Sequence, residues 1–98
     1  MVGKFDSTLH MTNGKLFVTG TLENCAGGKV NIQAGVTQKG KVVSCDQTFD
    51  VTTSPFPWSM DVSAPFVAGT AAAASALATD KNGASQPFPW NKGDIAIA

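Results

Sequence analysis

From Val30 to Thr37 the chain reads VNIQAGVT, with Val30, Ile32, Ala34 and Val36 alternating against Asn31, Gln33, Gly35 and Thr37. A period of two puts successive side chains on opposite faces of a pleated strand, and a helix of 3.6 residues per turn would scatter them. One face is built for a core and the other for water. The same pattern recurs along the chain, cut by turn signals roughly every 8 to 15 residues. That repetition restricts the chain to a β architecture.

The segments follow in order. Phe5, Leu9 and Met11 alternate with Asp6, Thr8, His10 and Thr12 as a first half-buried strand. Asn13-Gly14 then gives the strongest short hairpin signal, because both residues tolerate positive φ. KLFVTGTLENC continues as a second strand with Leu16, Val18 and Leu22 on one face. Phe17 and Cys25 fall out of phase with those three, so a bulge is expected near Gly20. Ala26-Gly27-Gly28 is a turn, and Lys39-Gly40-Lys41 closes a second hairpin into VVSCDQTFDV. Beyond it, Phe56, Trp58, Met60 and Val62 share a face, with Asp61 and Ser63 opposite. Asp80-Lys81-Asn82-Gly83 is a third turn, and the chain closes with DIAIA.

GTAAAASALATD is the ambiguous segment. Its alanines favour a helix on propensity. The run is short, however, lies between turns and has no N-cap with a charged first turn. Small residues on both faces suit a central strand packed by large neighbours, and a strand is expected here. About seven strands result, with local hairpins and no crossover helix. The expected fold is all-β: one domain over residues 1–98, an immunoglobulin-like antiparallel two-sheet β-sandwich.

Composition narrows the partners. Seven lysines balance seven acidic residues and arginine is absent, so the cationic surface a nucleic-acid binder needs is missing. No apolar run approaches the roughly 18 residues of a membrane-spanning helix, so no membrane insertion is expected. Only 14% of residues are charged, against about 25% in ordinary domains. Thr, Ser, Asn and Gln supply the polar surface instead, a lean toward extracellular or virion-borne β proteins. The N-terminal MVGKFDST has no apolar h-region, so no signal peptide is read there. A mature secreted domain carrying a new Met1 would look the same.

Cys25 and Cys45 are the two cysteines. In an oxidising compartment they are expected to form one disulfide, joining the second strand to the fourth and contributing roughly 3 kcal/mol in the chain-entropy model. In a reduced cell they would be two buried thiols facing each other.

Several stretches carry a likeness together: VTGTLENC, VNIQAGVTQ, CDQTFDV, PWSMDV and FVAGTAAAASALATD. The series from Val18 to Gly83 resembles short Ig-like β-sandwich modules of secreted bacterial proteins, especially actinobacterial ones. The positions that carry the resemblance are Cys25, Gln38, Cys45, Trp58, Gly69, Thr70 and Asp80. It implies the sandwich fold and no transferable activity, so no catalytic residue comes with it. The terminal PFPW segment departs from that pattern and leaves room for a phage particle, where Ig-like decoration modules also occur.

No residue set points to catalysis. His10 is the only histidine and lies on the polar face of its strand, without the orienting carboxylate and nucleophile that general acid–base chemistry uses. The carboxylates Asp6, Glu23, Asp46, Asp50, Asp61, Asp80 and Asp94 are scattered singly. The expectation is a chain that is not an enzyme and has no cofactor. Asp80, Asn82 and Asp94 form a weak calcium candidate, since loop oxygens suit that ion. D-x-N-G is also an ordinary turn.

The aromatics remain. PFPW occurs twice, at Pro55-Phe56-Pro57-Trp58 and at Pro87-Phe88-Pro89-Trp90. Trp58 is in phase with core positions. Trp90, with Phe88, Gln86 and Asn91, is the candidate exposed platform on which a sugar face could stack. Pro87 and Pro89 lack N–H donors, suit an edge and discourage strand addition, which favours a monomer or weak oligomer. The leading expectation is a non-enzymatic structural or adhesive module with a protein or glycan partner, extracellular or displayed on a particle. Alternatives are a carbohydrate-binding module using Trp90, a phage capsid decoration protein, and a small-ligand carrier resembling bacterial chromoprotein sandwiches.

Overall fold

A computed structural model describes residues 2–23, 27–88 and 91–98, with the backbone alone for Asn91 and Lys92. Every regular element among these residues is a strand. They are β1 (Val2–Phe5), β2 (Thr8–Thr12), β3 (Lys15–Glu23), β4 (Gly28–Gln38), β5 (Lys41–Val51), β6 (Phe56–Ser63), β7 (Ala72–Asp80), β8 (Ser85–Pro87) and β9 (Asn91–Ile97). Two more strands appear than the sequence pattern suggested. The first expected strand is cut at Asp6-Ser7, and a short strand precedes the last.

The strands form one mixed sheet in the order β1-β3-β2-β9-β7-β4-β5, with β6 on β3 and β8 on β7, curled into a half-barrel. Two antiparallel groups are recognisable within it. The first holds β1, β2, β3 and β6, and the second holds β4, β5, β7, β8 and β9. They are joined by a parallel pairing, Thr8↔Ala96 and Leu9↔Ile97. This corrects the expectation of a purely antiparallel arrangement. The bridging strand β2 runs antiparallel to β3 and parallel to β9.

Turn chemistry fixes the hairpins as the sequence suggests. Asn13 and Gly14 have φ of 53° and 79°, and Lys39 and Gly40 have 50° and 78°. These are the two-residue turns whose twist matches the flanking strands. The alanine-rich segment is strand β7, central between β4 and the β8–β9 side.

The bulge expected near Gly20 is not in β3. Its ladder with β6 is unbroken from Lys15↔Ser63 to Leu22↔Phe56. The slip lies in the facing strand instead: Phe5 pairs with Gly20, while His10 pairs with Phe17 where an unbroken ladder would give Lys15. Gly20 marks a close approach. A Cβ there would collide with the Lys4 carbonyl and lie 2.7 Å from Trp58 Cζ2.

Both groups fill one core. Leu9, Leu16, Val18, Leu22, Trp58 and Met60 meet Val30, Ile32, Ala34, Val36, Ala74, Ala78, Ile95 and Ile97, all buried. The two PFPW copies meet inside it. Trp58 of the first and Phe88 of the second pack edge to face at 5.7 Å, and Phe5 touches both at 5.8 and 5.4 Å. Such ring pairs contribute about 0.5–1.5 kcal/mol each beyond their buried area. The indole N–H of Trp58 is buried with no acceptor among the described residues.

Candidate functional site

The polar half of the alternation builds a surface. Register places β5, β4 and β7 side by side, so their outward residues line up in rows across the sheet. Val42, Thr37 and Ala73 make one row, and Ser44, Gly35 and Ser75 the next. Asp46, Gln33 and Leu77 follow, then Thr48, Asn31 and Thr79. Gly35 contributes no side chain and leaves a dip at the centre.

Two shallow clefts flank that dip. One, of about 420 Å³, is lined by Gln33, Ala34, Ser44, Cys45 and Asp46. The other, of about 240 Å³, is lined by Gly35, Thr37, Val42, Ala73, Ala74 and Ser75. Uncharged groups dominate the face. The Asn31 amide donates to Thr48 Oγ1 at 3.3 Å, and the Thr79 and Ser85 hydroxyls are 3.0 Å apart. One ion pair, Lys29 Nζ to Asp50 Oδ1 at 3.4 Å, lies beyond the last of these rows. Both of its side chains are exposed, so it contributes little stability. Val42, 65% exposed, is the most exposed large apolar residue described.

Cys45 stands at the edge of this region, half-buried on the inner side of β5 and carrying a free thiol. Burial, then the carboxylates of Asp46 and Asp61, pushes its pKa up, so the thiol stays protonated. The expected partner Cys25 lies outside the described residues. No disulfide is found among the described residues, so the expected Cys25–Cys45 bridge is not among the features the structure supports.

The expected glycan platform falls partly outside the described residues. Trp90 lies outside the described residues, as does Pro89. Phe88 is 6% exposed, its ring packed over Gly3 and against Phe5 and Trp58. It is a core residue and not a surface contact. Gln86 is exposed on β8, and Asn91 opens β9 opposite Ala74.

The calcium candidate resolves into a turn. Asp80 Oδ1 accepts the backbone N–H groups of Asn82 and Ala84 at 2.9 and 3.0 Å. This locks the hairpin. Among the described residues no group of three or more His, Cys, Asp or Glu side chains converges. His10 is exposed opposite Phe17.

Several positions that carried the bacterial resemblance have structural work. Buried Gln38 accepts the Val67 N–H at 2.7 Å and donates to the carbonyls of Val67 and Thr70 at 3.0 and 2.8 Å. It pins the connection between β6 and β7 to the end of β4. The Gly69 N–H donates to the Ile97 carbonyl at 2.7 Å.

Sequence reasoning passed over Gln33, Gly35, Ser44 and Ser75. The signal was present in the alternation, since each falls on the water-facing phase of its strand. What the sequence lacked was the register that brings them into one row. Compared with known proteins, the chain matches no family model, no curated protein and no solved structure.

Proposed function

We propose that this chain is a non-enzymatic, immunoglobulin-like two-sheet sandwich module with a structural or adhesive role, acting through the outer face of β5, β4 and β7. Connectivity supports the sandwich reading. In that reading β6, β3 and β1 would form one layer of the curled sheet and β9, β7, β4 and β5 the other, with β2, parallel to β9, bridging them. Ig-type sandwiches pack two such sheets over a shared core. The observation that carries the functional reading is the Ser44–Gly35–Ser75 row with a shallow cleft on either side. A flat face of hydroxyl and amide groups suits a broad, weakly charged partner surface such as a glycan or another protein. The sparse charge of the whole chain fits display outside a cell or on a particle, including a decoration role on a capsid.

The test is retention of protein-coated beads on cellulose, chitin, peptidoglycan and purified bacterial envelopes. Wild type is expected to be retained on at least one, and Gly35→Arg, which fills the dip without touching the core, to be released. Retention unchanged by Gly35→Arg, or no retention on any of the four, contradicts the proposal.

A further inference from the structure

Strand β5 is eleven residues long, and among the described strands it pairs with β4 alone. The hairpin fixes which of its groups are free. In the Lys39-Gly40 turn the Lys41 N–H points back to Gln38, so the odd-numbered residues of β5 direct their backbone groups to β4. Val42, Ser44, Asp46, Thr48 and Asp50 therefore direct theirs outward. No proline or bulge interrupts this row, and β6, which comes close enough for Phe56 to meet Phe49 at 6.2 Å, forms no ladder with it.

We propose that β5 pairs antiparallel with β5 of a second copy of this chain, about a twofold axis beside Cys45. A row of alternating donors and acceptors fits an extended backbone, and charge selects the register. A twofold at Asp46 would oppose two like carboxylates, which is unfavourable. Centred on Cys45, Ser44 faces the partner's Asp46, Val42 faces the partner's Thr48, and Val43 faces the partner's Gln47. The partner's Asp50 then falls opposite Gly40, between Lys39 and Lys41. Exposed Val42 and half-exposed Val43 both gain cover. The two Cys45 residues form a non-hydrogen-bonded pair, about 4.5 Å between Cα atoms, inside the range a disulfide spans.

The dimer would join β7-β4-β5 of both copies into one continuous sheet and double the outer face. It stands independently of what that face contacts, because its readout is mass.

Sedimentation velocity from micromolar to about 1 mM should show a monomer–dimer equilibrium. Ser44→Lys, set against the partner's Asp46, should tighten it. Ser44→Asp should loosen it, and the two dissociation constants should differ by about tenfold or more. Cys25→Ala, which keeps Cys45, should cross-link with diamide as the pH is raised and the thiolate forms. Two thiols give up two protons and two electrons to the azo bond, one S–S bond forms, and diamide leaves as the hydrazine. Thr48→Pro removes one outward N–H and should shift the equilibrium to monomer. If that variant loses its β circular dichroism, the Ser44 pair decides alone. A monomer at every concentration, or a dimer indifferent to both Ser44 changes, overturns the proposal.

Discussion

Strands β5 and β6 are both outer strands, yet the protein treats them differently. β6 sets Trp58 and Met60, each 3% exposed, into the core and is covered by β3 along its length. β5 turns Val43, Cys45 and Phe49 inward only half-buried, and Gln47 on the same side is exposed. Their free edges differ too. Ala64 N–H donates to Gly14 O, which sets the alternation of the β3–β6 ladder and points the odd-numbered residues of β6 outward. Pro57 is one of them, so that edge lacks a donor where β5 offers an uninterrupted row. The two strands run close enough for Phe49 and Phe56 to meet at 6.2 Å, but no ladder joins them. One outer strand anchors the core and has a blunted edge. The other is lightly anchored and open.

The largest effect that could break this contrast is at Trp58. Trp58→Ala should cost about 3–5 kcal/mol in urea unfolding. Trp58→Phe should cost far less, because it also removes a buried N–H that has no acceptor among the described residues. Gly20→Ala comes next, at roughly 1–3 kcal/mol, since the new methyl meets backbone at Lys4 and not a movable side-chain tip. On the other strand, Val43→Ala should cost below about 1 kcal/mol. Equal costs at Val43 and Trp58 would remove the contrast.

The smallest effect is a pH dependence at Cys45. Its folded pKa is raised by burial and then by Asp46 and Asp61, so folding favours the neutral thiol. That contribution is fully present below about pH 8.5, the unfolded value, and is lost as pH rises through the higher folded value. Wild type should therefore lose stability relative to Cys45→Ser between pH 8 and pH 10. Parallel urea midpoints across that range would contradict the assignment.

Much of the fold was legible in the sequence. Strict alternation located β3, β4 and β6, and Asn13-Gly14 and Lys39-Gly40 located two hairpins, because these are local signals. The phase of Trp58 with Met60 placed it in the core, and the chain position of the alanine run outweighed its helix propensity. Non-local choices were not legible. Nothing local says that β2 pairs parallel with β9, or that the slip beside Gly20 belongs to the facing strand. Phe88 was grouped with the candidate platform around Trp90. It is buried because Gly3 leaves room for its ring. The candidate surface was half legible: its residue types were on the page, and their row needed the register of three strands.

Amide hydrogen exchange along β5, read by NMR at two protein concentrations, tests the account most directly. In dilute solution Val43, Cys45, Gln47 and Phe49 should be protected through β4, while Val42, Ser44, Asp46, Thr48 and Asp50 exchange freely. At high concentration the second set should gain protection as copies pair. Protection of the even-numbered amides already in dilute solution, or free exchange at both concentrations, would contradict an open edge that a second copy closes.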